Sequence, residues 1–276
     1  MKATSASATT ASPDLFEIVE GKLYGVGGKI PLDGRASWAP AEATGYQPCQ
    51  AYLLRGDEDV LVDPGIAAVC GEVMSGLSQL LDDGAPLRVF LTRAQLDCVG
   101  NIGEVASRYE LVDIFTGGLF NPFDQFDAAA ANDREKRAAN ITVTRSGEDP
   151  PLEIVATSLR LLATFWGYDA ETRTVFTSDS FTHVTVDEPA ATPVVDSTVA
   201  DRSTRDDLEG HLFSTFWWLP LADRRAIVDG LETFFATHPV EIIAPGRGCV
   251  LKGEDVVQRH VRMLLDLLSS ADEEDR

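Results

Sequence analysis

Apolar residues in this chain fall into two periods. Short runs bounded by turn residues mark strands: two within Leu15–Val26 around Glu20-Gly21-Lys22, then Cys49–Leu54, Val60–Val62, Val89–Leu91 and Leu111–Phe115. Between them the spacing becomes helical. Val69, Val73, Leu77, Leu80 and Leu81 share one face of a helix over Ala67–Leu81, which Asp82-Asp83-Gly84 ends and Pro86 keeps from resuming. Val99, Ile102, Val105, Ala106 and Tyr109 mark a second helix. Gly27 to Pro48 reads as a Gly/Pro-containing loop, and Gly117 to Asn140 as a surface insertion with one helix.

The second half repeats the scheme. Ile141–Thr144, Leu152–Val155, Ser158–Ala163 and Arg173–Thr177 read as strands, the last followed by Ser178-Asp179. Val184–Glu209 is an acidic loop with little periodicity, and His211–Leu221 is the most aromatic stretch. A helix carries Ile227, Val228, Leu231, Phe234 and Phe235. The strand Val240–Ile243 leads to Ala244-Pro245-Gly246-Arg247-Gly248, and a last helix carries Val256, Val257, Val261, Leu264, Leu265 and Leu268. Strands alternating with helices in two comparable halves predict two sheets packed face to face with helices outside. The expected division is a disordered tail over 1–14, one domain over 15–270 and an acidic tail over 271–276.

Composition narrows the function classes. The formal net charge is −21 and only five basic residues are lysines (Lys2, Lys22, Lys29, Lys136, Lys252), so the surface repels polyanions and excludes a broad nucleic-acid interface. Acid excess spread along a lysine-poor chain is the pattern of proteins from salt-loving archaea, where salt screens self-repulsion. No run of about 18 apolar residues occurs, so no membrane span is expected. The polar N-terminus lacks the centre of a secretory signal, which predicts a cytoplasmic protein. Cys49, Cys70, Cys98 and Cys249 show no CxxC spacing, and free thiols are expected.

Four landmarks then carry a resemblance. Thr92-Arg93-Ala94-Gln95-Leu96-Asp97-Cys98-Val99-Gly100-Asn101 follows a strand and opens a helix, as the metal-binding turn T-H-x-H/E-x-D-H-x-G of the metallo-β-lactamase superfamily does. Leu61-Val62-Asp63-Pro64-Gly65 resembles its opening hairpin. Tyr168-Asp169-Ala170-Glu171-Thr172, ending in Ser178-Asp179, resembles the segment with its metal-bridging aspartate, and Pro245-Gly246-Arg247-Gly248 its closing P-x-H-G. The continuation Val99-Gly100-Asn101 looks most like the flavodiiron and oxygen-binding di-iron branch, ODP-like. The resemblance spans about Leu15 to Leu268 and implies a four-layer αββα metallo-β-lactamase-type sandwich. By the same resemblance the chain would form a homodimer.

The ligand set implied by that resemblance is largely replaced. Arg93, Gln95, Cys98 and Arg247 stand at ligand positions, Asp97 and Asp179 are kept, and Thr164–Trp166 offers no histidine where one is expected. A guanidinium stays protonated and has no lone pair for a metal. Two of them would set positive charges where two cations should sit. The expected cofactor is therefore none, with an atypical iron or zinc site on Asp97, Cys98 and Asp179 as the alternative. Arg93 and Arg247 are expected to pair with Asp97 and Asp179, either as a network holding the cleft together or as a pocket for a small anionic ligand. Cys98 and Cys249 read first as small buried thiols, and the alternative at Cys98 is a redox-responsive thiol whose pKa a neighbouring arginine would lower. His183 could approach the cleft from the loop after Asp179, though each histidine reads better as a core, surface or helix-end residue. Two functions follow: a non-catalytic binding, regulatory or scaffolding protein, or a hydrolase or oxidoreductase of the same fold with an atypical site.

Overall fold

A computed structural model describes residues 14–116, 142–145 and 150–274. The insertion expected over Gly117–Asn140, and all of the expected N-terminal tail but Asp14, lie outside these. One sheet takes its strands in chain order: β1 (Leu15–Val19), β2 (Leu23–Pro31), β3 (Tyr46–Leu54), β4 (Val60–Val62), β5 (Pro86–Leu91), β6 (Glu110–Thr116) and β7 (Thr142–Arg145). Pairing is antiparallel from β1 to β4 and parallel from β4 to β7. The other sheet holds β8 (Glu153–Ala156), β9 (Phe165–Asp169), β10 (Thr174–Ser178), β11 (Val194–Val195), β12 (Ile242–Pro245) and β13 (Val250–Lys252), in the order β11-β13-β12-β10-β9-β8.

Strand alternation sorts the apolar residues into three cores, because successive side chains point to opposite faces. Tyr52, Val60, Val62, Phe90, Phe176, Ile242, Ala244 and Val250 meet between the sheets. Their chain neighbours Leu53, Leu61, Val89 and Leu91 face the other way, onto α1 (Cys70–Leu77), α2 (Leu96–Val99) and α3 (Ile102–Arg108). Val175, Ile243 and Leu251 face α4 (Arg205–Thr215), α5 (Arg225–Thr237) and α6 (Glu254–Glu274). The result is helix, sheet, sheet, helix: the αββα sandwich expected.

Several boundaries differ from expectation for physical reasons. β2 and β3 run into the two ends of the expected loop over Gly27–Pro48, as far as Pro31 and from Tyr46 on, and only 32–45 between them is loop. Gly27 serves there because a Cβ would lie 2.2 Å from the Cys49 carbonyl oxygen. Ser158–Ala163 is not a strand: Leu159 is buried while Leu162 is exposed with a positive φ of 49°. The strand is β9, whose Trp166 and Tyr168 join the helix-side core. Gly167 lies between them because a Cβ would meet Phe90 at 2.8 Å across the sheets. The helix expected over Ala67–Leu81 is a 3₁₀ turn, Ala67–Val69, followed by the shorter α1. The acidic loop Val184–Glu209 contains β11 and the start of α4, which a Thr204–Asp207 capping box begins. α6 continues into the segment expected as an acidic tail.

Candidate functional site: an arginine–aspartate cluster

Four strands deliver the site to one edge. β4 and β5 are parallel neighbours, as are β10 and β12. Asp63, the Thr92–Asp97 loop, Asp179 and Arg247 all follow the C-terminal ends of these strands. The sheets are stitched there by the Gln50 backbone amide donating to the Gly246 carbonyl (3.2 Å) and by a Cys49–Arg247 bridge, while within the second sheet the Gly246 amide donates to the Ser178 carbonyl (2.9 Å). Asn101 ties the turn after β4 to the helices, its side-chain amide donating to the Pro64 (2.9 Å) and Ile66 (3.1 Å) carbonyls.

The four charged residues form a closed cluster. Arg93 donates through both terminal nitrogens to Asp179, the Nη2–Oδ1 bond being 3.1 Å, and Nη2 also donates to Asp97 Oδ2. Arg247 donates from Nη1 to Asp97 Oδ2 at 2.8 Å and from Nη2 to Asp179 Oδ1. Side-chain exposures of 3% for Arg93, 2% for Asp179 and 7% for Arg247 place these charges out of water, whereas Asp97 keeps 23%. Two cations and two anions cancel, and the forked guanidiniums match the carboxylate geometry. Burial opposes the charge on Arg247, yet Asp179 and Asp97 hold its pKa above the ordinary arginine value. Its guanidinium carbon lies 4.8 Å from the centre of the Trp38 ring.

Of the six residues anticipated, the structure brings together Arg93, Asp97, Asp179 and Arg247. Cys98 adjoins them, its Sγ 3.8 Å from Arg93 Nη2. Gln95 does not join: it is half-buried at the N-cap of α2, where its carbonyl accepts from the Cys98 and Val99 amides at 2.8 Å. Cys98 is a buried thiol, as the first reading of it expects. Burial raises its pKa well above the usual thiol value, and Asp63, Asp97 and Asp179 add to this against the opposing pull of Arg93. His183 belongs to a different wall of the molecule, described below. Thr164–Trp166 serves β9 instead of a ligand loop, and Trp166 packs edge-on against Phe234 with ring centres 5.5 Å apart.

Two neighbours escaped sequence reasoning. Trp38, one aromatic in a stretch of small and polar residues, covers Arg247 and donates to Gln47 Oε1 at 2.6 Å. Asp63, read only as a landmark, is a buried carboxylate accepting from the Thr92 amide (2.9 Å) and hydroxyl (2.5 Å). Burial pushes its pKa up to about 7, even though both Thr92 bonds and the nearby Arg93 pull it down. The space left among Gln50, Asp63, Asp97, Cys98, Asp179 and Arg247 is about 10 Å³, which is room for about one water. Among the described residues, no three His, Cys, Asp or Glu side chains are grouped so as to hold a metal ion.

No protein-family model matches the sequence, and no curated protein matches it. Solved structures do. The rubredoxin oxygen:oxidoreductase of Desulfovibrio gigas superposes with a TM-score of 0.60 at 16% identity, over 92% of this chain and 61% of that one. A variant of the flavo di-iron protein of Thermotoga maritima gives 0.59 at 17% identity, over 92% and 60%. A peroxy di-iron form of the chemotaxis sensor ODP gives 0.55 at 14%, over 91% and 93%. The chain thus spans about three-fifths of the length of the first two and nearly all of the third. No helix among the described residues is long and apolar enough to cross a membrane. The chain has the metallo-β-lactamase-type fold of the flavodiiron proteins and of ODP.

Proposed function

We propose that the protein is a non-catalytic binding, regulatory or scaffolding protein whose central cleft is closed by an arginine–aspartate cluster. One observation carries this reading: Arg93 and Arg247 pair with both retained aspartates in a space of about 10 Å³. Iron, which the names of the fold neighbours imply for those proteins, does not fit these residues. The carboxylates at Asp97 and Asp179 are engaged by guanidiniums, no imidazole bonds the cluster, and a metal ion would meet two fixed positive charges.

The second reading, an oxidoreductase with an atypical site, has the fold neighbours in its favour, one of which is named an oxidoreductase. A homodimer belongs to both readings. Trp217 and Leu221, 74% and 92% exposed, are the apolar surface offered for it.

Thermal unfolding with and without excess Fe²⁺ or Zn²⁺ separates the readings. An ion that binds the native state raises Tm according to its saturation. The cluster predicts an unchanged Tm. A rise of several degrees that disappears in Asp97→Ala and Asp179→Ala would favour the metal-dependent reading.

A further inference from the structure

Residues 196–204 run from β11 to α4, and Val199 to Ser203 among them line a cavity of about 850 Å³. The segment makes its own turns: the Thr198 amide donates to Asp196 Oδ1 at 2.8 Å, and the Ser203 amide to Asp201 Oδ1 at 2.9 Å. Apart from the capping box that joins it to α4, its hydrogen bonds to the rest of the described residues all run to two side chains of α6. His260 Nε2 donates to Asp201 Oδ2 at 2.9 Å. Arg259 pairs with the same carboxylate and donates to the Ser203 carbonyl at 2.8 Å. The segment is thus held at one point.

That point has no place for another proton. His260 Nε2 carries the hydrogen given to Asp201, so Nδ1 offers a lone pair, and His183 Nε2, 2.9 Å away, must be the donor. The two rings are 0% and 2% exposed. A proton added to His260 sets N–H against N–H unless the His183 hydrogen moves to Nδ1. A proton added to His183 goes to Nδ1 directly. Either way a hydrogen is stranded there, because His183 Nδ1 is buried and has no partner among the described residues. The titratable and charged groups facing the pair are Asp201 from the segment, Arg259 from α6 and His211 from α4. Arg259 already matches the Asp201 charge, which leaves no anion for an imidazolium. Burial holds the His260 pKa down to about 4, with Arg259 acting in the same direction, and burial likewise keeps His183 well below the ordinary histidine value.

We propose that residues 196–204 are a strap on this cavity that acid releases, the Asp201–His260–His183 chain being its latch. At neutral pH the uncharged rings hold the strap closed. Once it is released, the imidazoles reach water and titrate near their ordinary pKa of about 6.5. The open form therefore binds protons more tightly, and it gains on the closed form as pH falls from 6.5 toward 4. Between pH 7 and pH 5, linkage through His260 alone moves the balance roughly twentyfold toward the open form. Release removes the cavity wall made by Val199 to Ser203. The cavity shares no lining residue with the cleft, so the strap stands apart from the reading of the arginine–aspartate cluster.

Hydrogen exchange of the full chain by mass spectrometry, at pH 7 and pH 5 and corrected for intrinsic chemistry, tests the latch. The expected result is exchange over 196–204 that quickens at least tenfold at pH 5 while β12 keeps its protection. His260→Gln retains a donor for Asp201 without a titrating ring, and its strap should respond to pH less than threefold. Asp201→Asn should exchange fast at both pH values. Should His260→Gln fail to fold, Arg259→Gln, at a side chain 43% exposed, removes the bond to Ser203 and should quicken exchange over 196–204 already at pH 7. Exchange over 196–204 that ignores pH, or that rises only together with β12, would overturn the proposal. So would an equal pH response in His260→Gln, or a strap as protected in Asp201→Asn or Arg259→Gln as in the native chain.

Discussion

The two buried polar regions of this molecule solve opposite problems. In the cleft, four charged side chains pair with one another through the terminal guanidinium nitrogens and leave about 10 Å³, although the Nε atoms of Arg93 and Arg247 stay buried without a partner. Elsewhere, Asp201, His260 and His183 form a hydrogen-bonded chain that ends on a buried, unpaired Nδ1. Charges paired this closely within the chain make a structural element. The cluster thus holds the cleft through opposed charges, whereas the histidine chain is held by neutral rings.

The comparison breaks most visibly at Asp179. Asp179→Ala leaves Arg93 and Arg247 buried with Asp97 alone, and should cost about 3–5 kcal/mol in urea unfolding, the range for a buried charge stripped of its partner. Adding Arg247→Met should recover about 1–3 kcal/mol relative to additivity, because the surplus charge is removed with its partner.

Acid acts next, and mostly on the other region. His183, His211 and His260 have folded pKa values below the unfolded value of about 6.5, so the stability they lend is present above that pH and lost as pH falls through the folded values. Asp63 works in reverse. Its folded pKa of about 7 lies above the unfolded carboxylate value, so its contribution is full at low pH and is lost as pH rises through 7. Between about pH 6 and 5 the unfolded chain binds roughly three more protons at the histidines and one fewer at Asp63. Stability should therefore fall by roughly 2–3 kcal/mol per pH unit. Asp63→Asn should make that slope steeper by about 1.4 kcal/mol per unit, as chemical unfolding across pH would show.

Sequence patterning foretold the layers and the members of the cluster, but not the edges that position them. Arg93, Asp97, Asp179 and Arg247 were legible through the motif resemblance, which fixed their order along the chain; Asp63 was legible only as a landmark of the same motif, beside the turn after β4. β9 was not: the strand was placed at Ser158–Ala163 instead, because Gly167 answers to Phe90 on the facing sheet, a contact no local window contains. α4 was hidden by its acidic first turn (Asp206, Asp207), although Thr204 and Asp207 at capping-box spacing were a usable signal. The histidine chain was invisible for a further reason. His183, Asp201 and His260 come from two loops and a helix, so no spacing rule joins them.

Smaller effects sharpen the picture of the cleft. Trp38→Leu removes the ring over Arg247 and the donor to buried Gln47, and should cost about 1–2 kcal/mol without altering metal content. Cys98, buried and held as a neutral thiol, should resist peroxide in the folded chain while the partly exposed Cys70 reacts first by mass spectrometry.

The most direct test is the metal content of the full chain purified in high salt without chelator from iron- and zinc-supplemented cells. Arginines locked onto Asp97 and Asp179 predict far less than one iron or zinc per chain, at the same trace level in Asp97→Ala and Asp179→Ala. Stoichiometric iron or zinc that vanishes in those two variants would show that the cleft is a metal centre after all.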